Sequence, residues 1–366
     1  MKIKDLSLTN FRNYKKSGIA LSPATNIFIG DNASGKTNIL EAIYALAVAR
    51  SYKAKDKDMI KSGEPFFKIS CDVEFENRID KLLLIGSEEG KKAFKNDVEI
   101  KKLSEFIGSL NVVLFSPDDL LLLKNGPQEK RKLLDLSLLQ ISKQYVEDYA
   151  AFKKQLKLRN DYLKYLLPKL GDTDEINDDM LDVLTINFID CNKKIFEARS
   201  NFLKNLENLA KKKYQALSGE NVDIKFVYLV NFENNIDFYK KKYKQDIIMG
   251  STNSGVQRDD ISFLKDGFDF ETSSSEGEAR MLSLSIKLAL ADLITSMKKE
   301  TPVVLLDDVF SELDKNHQNR LLNILNKDMQ IVITTTDIYK IGKLALTNAK
   351  VYTIDNGTIK ENKNNG

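Results

Sequence analysis

Hydrophobic and polar positions follow three successive patterns along the chain. In the first part, apolar runs and alternating positions predict strands at 27–29, 69–75, 82–85 and 112–115, with a helix over 38–49. From about residue 118, apolar residues recur at steps of three, four or seven. That spacing predicts two amphipathic helices, 145–167 and 184–209, joined by a loop. The arrangement is an arm or lid with its own small core, or an ordinary helical subdomain packed on the core.

Alternating apolar residues predict a further strand at 222–232, and a lysine-rich helix is predicted at 240–244. The last third alternates a helix at 278–298 with strands at 303–306 and 331–333, which predicts a largely parallel sheet. A final hairpin turns at Asn356-Gly357, a pair suited to a type I′ turn. We therefore expect an α/β head with a mixed, largely parallel sheet and additional antiparallel strands. Its parts are residues 1–117 and 247–366, and residues 118–246 form the inserted helical subdomain.

Composition narrows the class of protein. The chain has 366 residues, 42% apolar and 30% charged, with a net charge of +3, which permits an acidic partner without requiring one. We expect no signal peptide, no membrane helix and a cytoplasmic location. Two cysteines far apart in sequence and one histidine, His317, exclude a Cys/His zinc site and a disulfide framework.

A phosphate-binding loop is the strongest motif. Residues 30–37 fit G-x-x-x-x-G-K-[ST], with a predicted strand before them and a predicted helix after them. Lys36 would reach the β- and γ-phosphates of a nucleotide, and the Thr37 hydroxyl would bind Mg²⁺. The alternative is a glycine turn that matches by chance. The predicted ATP-binding residues are Gly30, Asp31, Asn32, Ala33, Ser34, Gly35, Lys36, Thr37 and Asn38.

An apolar run ending in two carboxylates predicts the catalytic acids. A buried strand over 303–306 would deliver Asp307 and Asp308 to the carboxyl edge of the sheet. Asp307 suits a contact to Mg²⁺, and Asp308 suits orienting or deprotonating the attacking water. Together with Lys36 they are the predicted catalytic residues. An Asp-Asp helix cap would explain the pair alone, but the phosphate loop makes a metal-phosphate site the better interpretation.

A serine-glycine turn opens the helix upstream of the acidic strand. Ser275 and Glu278 form a capping box, which is a sufficient structural explanation. The position favours a further role, in which Ser275, Gly277 and Glu278 contact a γ-phosphate. Glu276 and Glu278 would repel that phosphate unless neighbouring cations offset them.

The order of these motifs resembles that of ABC and SMC-type ATPases: Walker A, signature, Walker B and D-loop. The D-loop is Ser311-Glu312-Leu313-Asp314. Over nearly the whole chain, the sequence more specifically resembles the RecF family of bacterial recombination mediators. The segments that carry this resemblance are 8–14, 49–51, 114–120, 258–260, 306–314 and 333–336.

The resemblance implies slow ATP hydrolysis, an ATP-driven homodimer that shares its ATP sites, and binding of single-stranded or gapped DNA. It also implies work with RecO and RecR in recombinational repair, replication and the SOS response. Arg12 and Asn13 would then lie near the nucleotide, and Thr336 would take the position of the transporter switch histidine. Ala33, Gln257 and Glu276 depart from the family pattern, which puts loop geometry and rate in question rather than nucleotide binding.

DNA-contacting residues stay unassigned. Basic clusters at 50–55, 130–132, 211–213 and 240–244 could neutralise phosphates, or they could be solvated helix faces. Other interpretations of the whole chain are a transporter ATPase subunit, a Rad50-type protein, a clamp-recruiting scaffold and a small-molecule kinase. The long insertion argues against a transporter subunit, and the absence of long coiled coils argues against a Rad50-type protein. The intact acids argue against a scaffold, and the signature turn argues against a kinase.

Overall fold

The computed structural model describes residues 1–124, 126–170, 176–325, 328–341, 346 and 348–362. Its strands are β1 Lys2–Phe11, β2 Tyr14–Ala20, β3 Thr25–Ile29, β4 Phe66–Glu74, β5 Ile79–Ser87, β6 Gly90–Lys95, β7 Val98–Ile100, β8 Val112–Phe115, β9 Ile224–Leu229, β10 Asp260–Lys265, β11 Phe268–Asp269, β12 Val303–Asp307, β13 Ile331–Thr335, β14 Lys350–Asp355 and β15 Thr358–Glu361. Its α-helices are α1 Lys36–Val48, α2 Leu103–Phe106, α3 Leu121–Lys124, α4 Gly126–Ile141, α5 Lys143–Leu166, α6 Asp179–Ser218, α7 Ile236–Lys240, α8 Tyr243–Met249, α9 Phe270–Ser273, α10 Glu276–Lys298 and α11 Lys315–Ile324.

The chain divides into two compact units. The head unit comprises residues 1–120, 208–222 and 274–366, and the inserted unit comprises residues 121–207 and 223–273. This division differs from the expected boundary at residue 246. The cause is strand pairing: β9 pairs antiparallel with β10, which brings Phe226 opposite Phe263 and keeps residues 223–273 together.

Two six-stranded sheets build the head unit. One is antiparallel, in the order β2-β1-β4-β5-β6-β7. The other has the order β15-β14-β3-β13-β12-β8, and only β15 runs antiparallel to its neighbour. Because parallel strands end at the same edge, β3 and β12 deliver the residues that follow them to one place.

Helix α1 packs against strands of both sheets of the head unit. From Ile39 onward its sequence is apolar on every face except at Glu41, and a helix of that kind is stable only when it is buried on all sides. Ile39, Leu40, Ala42 and Ile43 are fully buried, and so is the one carboxylate among them, Glu41. The phosphate loop therefore leads into a helix that is fixed on every face.

The inserted unit contains the three-stranded sheet β11-β10-β9 together with helices α4 and α5 and the first part of α6. Its core combines aromatic rings with buried ion pairs. Arg159 is fully buried and donates to Asp246 Oδ2 over 2.9 Å and to Thr252 Oγ1 over 2.6 Å. Arg199 holds Asp135 through two bonds of 2.8 and 3.0 Å. Buried charges of this kind persist only when they are paired.

Most predicted elements are present, with bounds that differ by a few residues. The strand predicted at 112–115 is β8, and the predicted helical pair corresponds to α5 and α6. The helix predicted at 240–244 was wrong, because α7 ends at Lys240 and α8 begins at Tyr243. Asn356 and Gly357 have φ values of 44° and 77°, the two positive angles that a type I′ turn requires. Within the described ranges, no helix is long and apolar enough to cross a bilayer.

Candidate nucleotide-binding site

The phosphate loop connects β3 to α1 and requires glycine at two positions. Gly35 has a φ of 115°, and a Cβ there would lie 2.5 Å from Asn13 Nδ2. A Cβ on Gly30 would lie 2.4 Å from the backbone oxygen of Ile354. Gly35 is also the N-cap of α1 and offers no side-chain cap; the Asn38 N–H donates to the Gly35 carbonyl over 3.1 Å, which leaves the N–H groups of Lys36 and Thr37 for a ligand.

The turn between β1 and β2 supports this loop. Asn13 Nδ2 donates to the Ser34 carbonyl over 2.8 Å, and Asn38 Nδ2 donates to Asn13 Oδ1 over 2.9 Å. The Tyr14 hydroxyl donates to the Gly35 carbonyl over 2.9 Å, and burial raises the pKa of Tyr14, so the donor keeps its proton. Asn13 was expected near the nucleotide; its contacts are with the backbone and side chains of the loop.

Lys36 lies in the centre of the loop. Its Nζ donates to the carbonyls of Gly30 over 2.7 Å and Asp31 over 2.6 Å. Burial lowers the pKa of Lys36, while nearby Asp308, Asp307 and Asp31 act in the opposite direction. The buried ammonium is thus placed among carbonyls and carboxylates that an anionic phosphate can replace as its partners.

Four side chains surround Asp307 at the end of β12. Thr37 Oγ1 and Thr334 Oγ1 each donate to Asp307 Oδ1 over 2.8 Å. The Tyr52 hydroxyl donates to Oδ2 over 3.0 Å, and Lys53 Nζ lies 3.6 Å from the same oxygen. Burial raises the pKa of Tyr52 well above its usual range, and Asp307 adds to that effect, so the phenol acts as a donor. The contact from Thr37 joins the phosphate loop to the acidic strand.

Asp308 adopts a left-handed backbone conformation, with a φ of 52°. Its N–H donates to the Thr334 carbonyl over 3.2 Å and to the Thr334 hydroxyl over 3.1 Å. Its Oδ1 accepts from the Ser311 hydroxyl over 2.6 Å. An aspartate in this region of φ and ψ marks a backbone held by its surroundings, which is common at functional sites.

These groups enclose a cavity of about 230 Å³ in the head unit. Of the described residues, those that line it are Asn32, Ala33, Gly35, Lys36, Thr37, Asn38, Lys53, Asp307, Asp308, Thr334 and Thr336. The structure therefore brings together most of the predicted phosphate loop, both acids and Thr336. Ser275, Gly277, Glu278 and Arg12 are not among the lining residues.

Arg12 contacts the helix behind the loop rather than the cavity. Its Nε and Nη2 donate to the two carboxylate oxygens of Glu41 over 2.8 and 2.5 Å, and its Nη1 donates to the Asp58 carbonyl over 2.6 Å. Glu41 is fully buried, so this paired geometry stabilises a charge inside the head unit. The described contacts of Arg12 hold α1 in place.

The serine-glycine turn is a complete capping box at the start of α10. The Ser275 N–H and hydroxyl both donate to Glu278 Oε2 over 2.8 Å, and the Glu278 N–H donates to Ser275 Oγ over 3.3 Å. Arg280 offsets the acids of this turn, lying 3.9 Å from Glu276 and 3.3 Å from Glu312. Arg280 also donates to the Glu312 carbonyl over 2.6 Å, which links the turn to the D-loop.

The sequence interpretation missed Tyr52, Lys53 and Thr334 as site residues. From the sequence, residues 52–55 are part of a basic cluster that binds DNA or is solvated, yet Lys53 lines the cavity. No motif spacing connects residue 52 to residue 307; the contact exists because α1 ends at Val48 and the chain turns back through Ala49, with a φ of 56°. Thr334 lies in segment 333–336, one of those that carry the family resemblance. That resemblance was the signal in the sequence that could have identified Thr334 as a site residue.

Many cations of the other basic clusters already have partners within their own unit. Lys130 lies 3.5 Å from Asp260 and 3.7 Å from Glu271. Lys213 lies 2.6 Å from Asp292, and Lys240 lies 2.5 Å from Asp182. These pairs favour the interpretation of solvated or structural charges at those positions.

The donor set fits a nucleotide triphosphate with Mg²⁺. The buried Ser34 hydroxyl, inside the loop, has no hydrogen-bond partner among the described residues. Thr37 and Asp307 supply one hydroxyl and one carboxylate, the sparse oxygen donors with which Mg²⁺ joins phosphate oxygens and water. Among the residues that the structure describes, no group of three or more His, Cys, Asp or Glu residues could hold a metal ion without further ligands.

Comparison with known proteins identifies relatives over the full length. The family model described as the RecF/RecN/SMC N terminal domain matches residues 2–360. The DNA replication and repair protein RecF of Staphylococcus aureus strain JH9 is 36% identical over 372 residues, which cover 98% of this chain and 100% of that protein.

Solved structures agree with this assignment. A structure of the recombination mediator protein RecF-ATP in the RecFOR pathway superposes with a TM-score of 0.88 at 28% identity, covering 99% of this chain and 98% of the other. An SmcHead structure bound to the C-winged helix domain of ScpA superposes at 0.56 with 16% identity, covering 99% and 97% of the two chains, and shows the fold alone. The expected α/β head of the ABC/SMC type is confirmed. The chain belongs to the RecF family of SMC-type ATPases.

Proposed function

We propose that this protein is a slow ATPase that uses ATP and Mg²⁺ to form a homodimer on single-stranded or gapped DNA. In this proposal it acts with RecO and RecR in recombinational repair, replication and the SOS response. The observation that carries it is the 2.8 Å contact between Thr37 and Asp307, which unites the two halves of a metal-phosphate site. The named relatives support the DNA-repair part, since they are described as replication, repair and recombination proteins.

The geometry supports distinct roles for the site residues. Thr37 and Asp307 would hold Mg²⁺, which when bound neutralises charge on the phosphates. Lys36 binds phosphate oxygens in place of the Gly30 and Asp31 carbonyls. Asp308, fixed by Ser311, orients the attacking water and accepts its proton. Binding and orientation by preplaced charges are the main sources of rate in phosphoryl transfer.

Ser275, Gly277 and Glu278 are assigned to the partner's nucleotide. They do not line the cavity of their own chain, and Ser275 and Gly277 are exposed at the start of α10. The bond from Arg280 to Glu312 connects this turn to the D-loop, so both elements can respond together to a second copy. Hydrolysis would then dismantle the shared sites and release the dimer, acting as a switch.

The test is molar mass by light scattering, with and without ATP-Mg²⁺, repeated with a gapped DNA duplex. We expect a monomer without nucleotide and a dimer that retains DNA with it. Ser275→Arg is the matched variant: it should bind ATP normally, because Ser275 lies outside the cavity, but it should not dimerise. A normal ATP-induced dimer of Ser275→Arg would refute the shared site, and a wild-type monomer under all conditions would refute the switch.

A further inference from the structure

Residues 51–56, which we call the covering segment, lie over the acidic end of β12. Ser51 accepts hydrogen bonds from the backbone N–H groups of Lys53 over 2.9 Å and Ala54 over 3.0 Å, which folds the segment into a tight turn. The Ser51 hydroxyl also donates to Glu41. Because Glu41 belongs to α1, the covering segment is anchored to the same helix that carries the phosphate loop.

The far end of the covering segment is anchored as well. Lys91 Nζ donates to the Ala49 carbonyl over 2.6 Å and pairs with Asp56. The ring of Tyr52 packs edge-on against Tyr44 of α1, with ring centroids 5.2 Å apart. Both ends and the central ring are therefore held, which fixes the backbone at Lys53 and places its side chain, 38% exposed, beside Asp307.

The two oxygens of Asp307 have different partners. Oδ1 accepts from two hydroxyls, those of Thr37 and Thr334, whereas Oδ2 faces the Tyr52 hydroxyl and the Lys53 ammonium. Asp307 is 4% exposed, so its charge is stabilised chiefly by these neighbours. Among the described residues, the ammonium within salt-bridge distance of Asp307 is that of Lys53.

We propose that Lys53 is a resident counter-ion of Asp307 that competes with Mg²⁺, and that the covering segment keeps it in that position until metal and nucleotide arrive. This inference rests on the proposed function and assigns a regulatory residue to the same site. Lys53 neutralises Asp307 when no metal is present and so opposes binding of Mg²⁺ alone. Its charge also lessens the repulsion that Asp307 and Asp308 exert on a metal-free triphosphate.

The consequence is a pair of effects with opposite signs in Lys53→Met. Without nucleotide, the variant should bind Mn²⁺, used as a paramagnetic probe for Mg²⁺, roughly threefold to tenfold more tightly. Its affinity for ATP in EDTA should fall by a similar factor, because a cation has been lost near two carboxylates. Its affinity for ATP with Mg²⁺ should stay the same or rise.

The measurements are Mn²⁺ titration followed by electron paramagnetic resonance, and calorimetric titration with ATP in EDTA and in Mg²⁺. Lys55→Met is the matched control, since it removes the same charge from an exposed position in the covering segment. It should behave as wild type. Lys53→Arg should keep the wild-type pattern, and Lys53→Gln is a second replacement should the methionine variant fold poorly.

An unchanged Mn²⁺ affinity in both neutral variants would overturn the proposal, and so would the absence of measurable Mn²⁺ binding to them, because removal of Lys53 would then not free Asp307 for a metal. So would equal weakening of ATP binding with and without Mg²⁺, which is what a merely structural role for Lys53 produces. An effect of Lys55→Met equal to that of Lys53→Met would also overturn it, by showing a general charge effect. The Mn²⁺ titration needs no nucleotide, so it decides about Lys53 even if wild type fails to bind ATP and the proposed function is wrong.

Discussion

Two buried carboxylates, one in each unit, have opposite surroundings. Asp307 in the head unit is 4% exposed and receives three hydroxyl hydrogen bonds and a nearby ammonium. Asp259 in the inserted unit is fully buried, and neither of its oxygens has a partner in good hydrogen-bond geometry among the described residues; the donors close to it are the Tyr228 hydroxyl and the Asn231 N–H. Burial raises the pKa of Asp259 to about 6, although Tyr228, Arg199 and Arg131 act against that rise.

This difference distinguishes a carboxylate that can bind a ligand from one whose burial only destabilises the fold. A carboxylate with an oriented shell of donors is ready to exchange those donors for a ligand. A carboxylate buried with poorly placed donors destabilises the fold in its charged form and binds a proton more readily. Burial of an acid alone therefore does not mark a functional residue; the geometry of its donors does.

Left-handed backbone is more frequent in the head unit than in the inserted unit. In the described head unit, Arg12, Ala33, Ala49 and Asp308 have positive φ values around the cavity or the helix behind it, and six further residues have them at other turns: Asn10, Asn96, Asp97, Lys299, Asn348 and Asn356. In the described part of the inserted unit, Asp266 is the non-glycine residue with a positive φ. Strained positions of this kind persist where their surroundings fix them, as around active sites.

The largest expected effect is on the centre of the phosphate loop. Lys36→Met should weaken ATP binding by about 100-fold or more, because the charge-assisted bonds to two phosphates are lost together. Titration calorimetry with ATP-Mg²⁺ measures it. Lys15→Met removes an exposed lysine of β2 and should leave the affinity unchanged. Tight ATP binding by Lys36→Met would mean that the cavity is not the nucleotide site.

Asp307→Asn tests the donor shell directly. We expect it to lower the free energy of unfolding by about 2 kcal/mol, because the amide supplies one acceptor where two carboxylate oxygens served three hydroxyls. Urea unfolding at pH 8 without nucleotide measures the change. Asp5→Asn, at an exposed position in β1, is the control. A more stable Asp307→Asn would show that the shell does not compensate for burial.

Asp259→Asn should have the opposite sign. The pKa of Asp259 rises from 3.8 to about 6 on folding, so the folded chain binds more protons between those values. Wild-type stability from this group is greatest below pH 4, falls as pH rises through that window and is constant above it. The variant should therefore be more stable than wild type by about 1 to 2 kcal/mol at pH 8, with little difference at pH 4.

Urea unfolding of both proteins across pH 4 to 8 provides the measurement for Asp259. Asp190→Asn, on an exposed face of α6, should show the wild-type pH dependence. If Asp259→Asn were destabilising at pH 8 and not at pH 4, the charged carboxylate would have partners, and the contrast with Asp307 would disappear.

The smallest effect concerns Ala33, with its φ of 66°. Ala33→Gly relieves a left-handed conformation but adds freedom to the unfolded chain, and the two terms are of similar size. Stability should change by less than about 0.5 kcal/mol, and ATP affinity by less than about twofold. Gly35→Ala gives the contrast, since its Cβ would lie 2.5 Å from Asn13 Nδ2. A large effect of Ala33→Gly would show that the alanine tunes the loop.

Local patterns predicted the parts of the site that are local. The phosphate loop, its flanking strand and helix, and the Asp307-Asp308 pair each occupy a few consecutive residues, so spacing alone indicated them. Tyr52 and Asp307 are 255 residues apart in sequence, and Lys53 is the neighbour of Tyr52, so no local residue pattern specifies their contacts with Asp307. Arg12 was expected near the nucleotide for its place in the family motif, while its position is fixed by buried Glu41.

Long-range pairing also limited what could be said of the fold. Alternation predicted a strand near β9, but only its register with β10 shows that residues 223–273 belong to the inserted unit. In the head unit, the place of β3 between β13 and β14 follows from the folded sheet, not from the sequence around β3. Periodicity assigns an element its type, and tertiary packing assigns its neighbours.

The hairpin turn at Gly357 has a consequence for synthesis of the protein. Gly357 donates its N–H to the Ser34 carbonyl over 3.1 Å, and its carbonyl accepts from Ser17, which lies 340 residues away. At common translation rates, roughly 20 to 70 s separate the emergence of these two residues from the ribosome. The phosphate loop is thus made early and supported late. A nascent chain therefore gains this support for its phosphate loop only after β14 and β15 have been made.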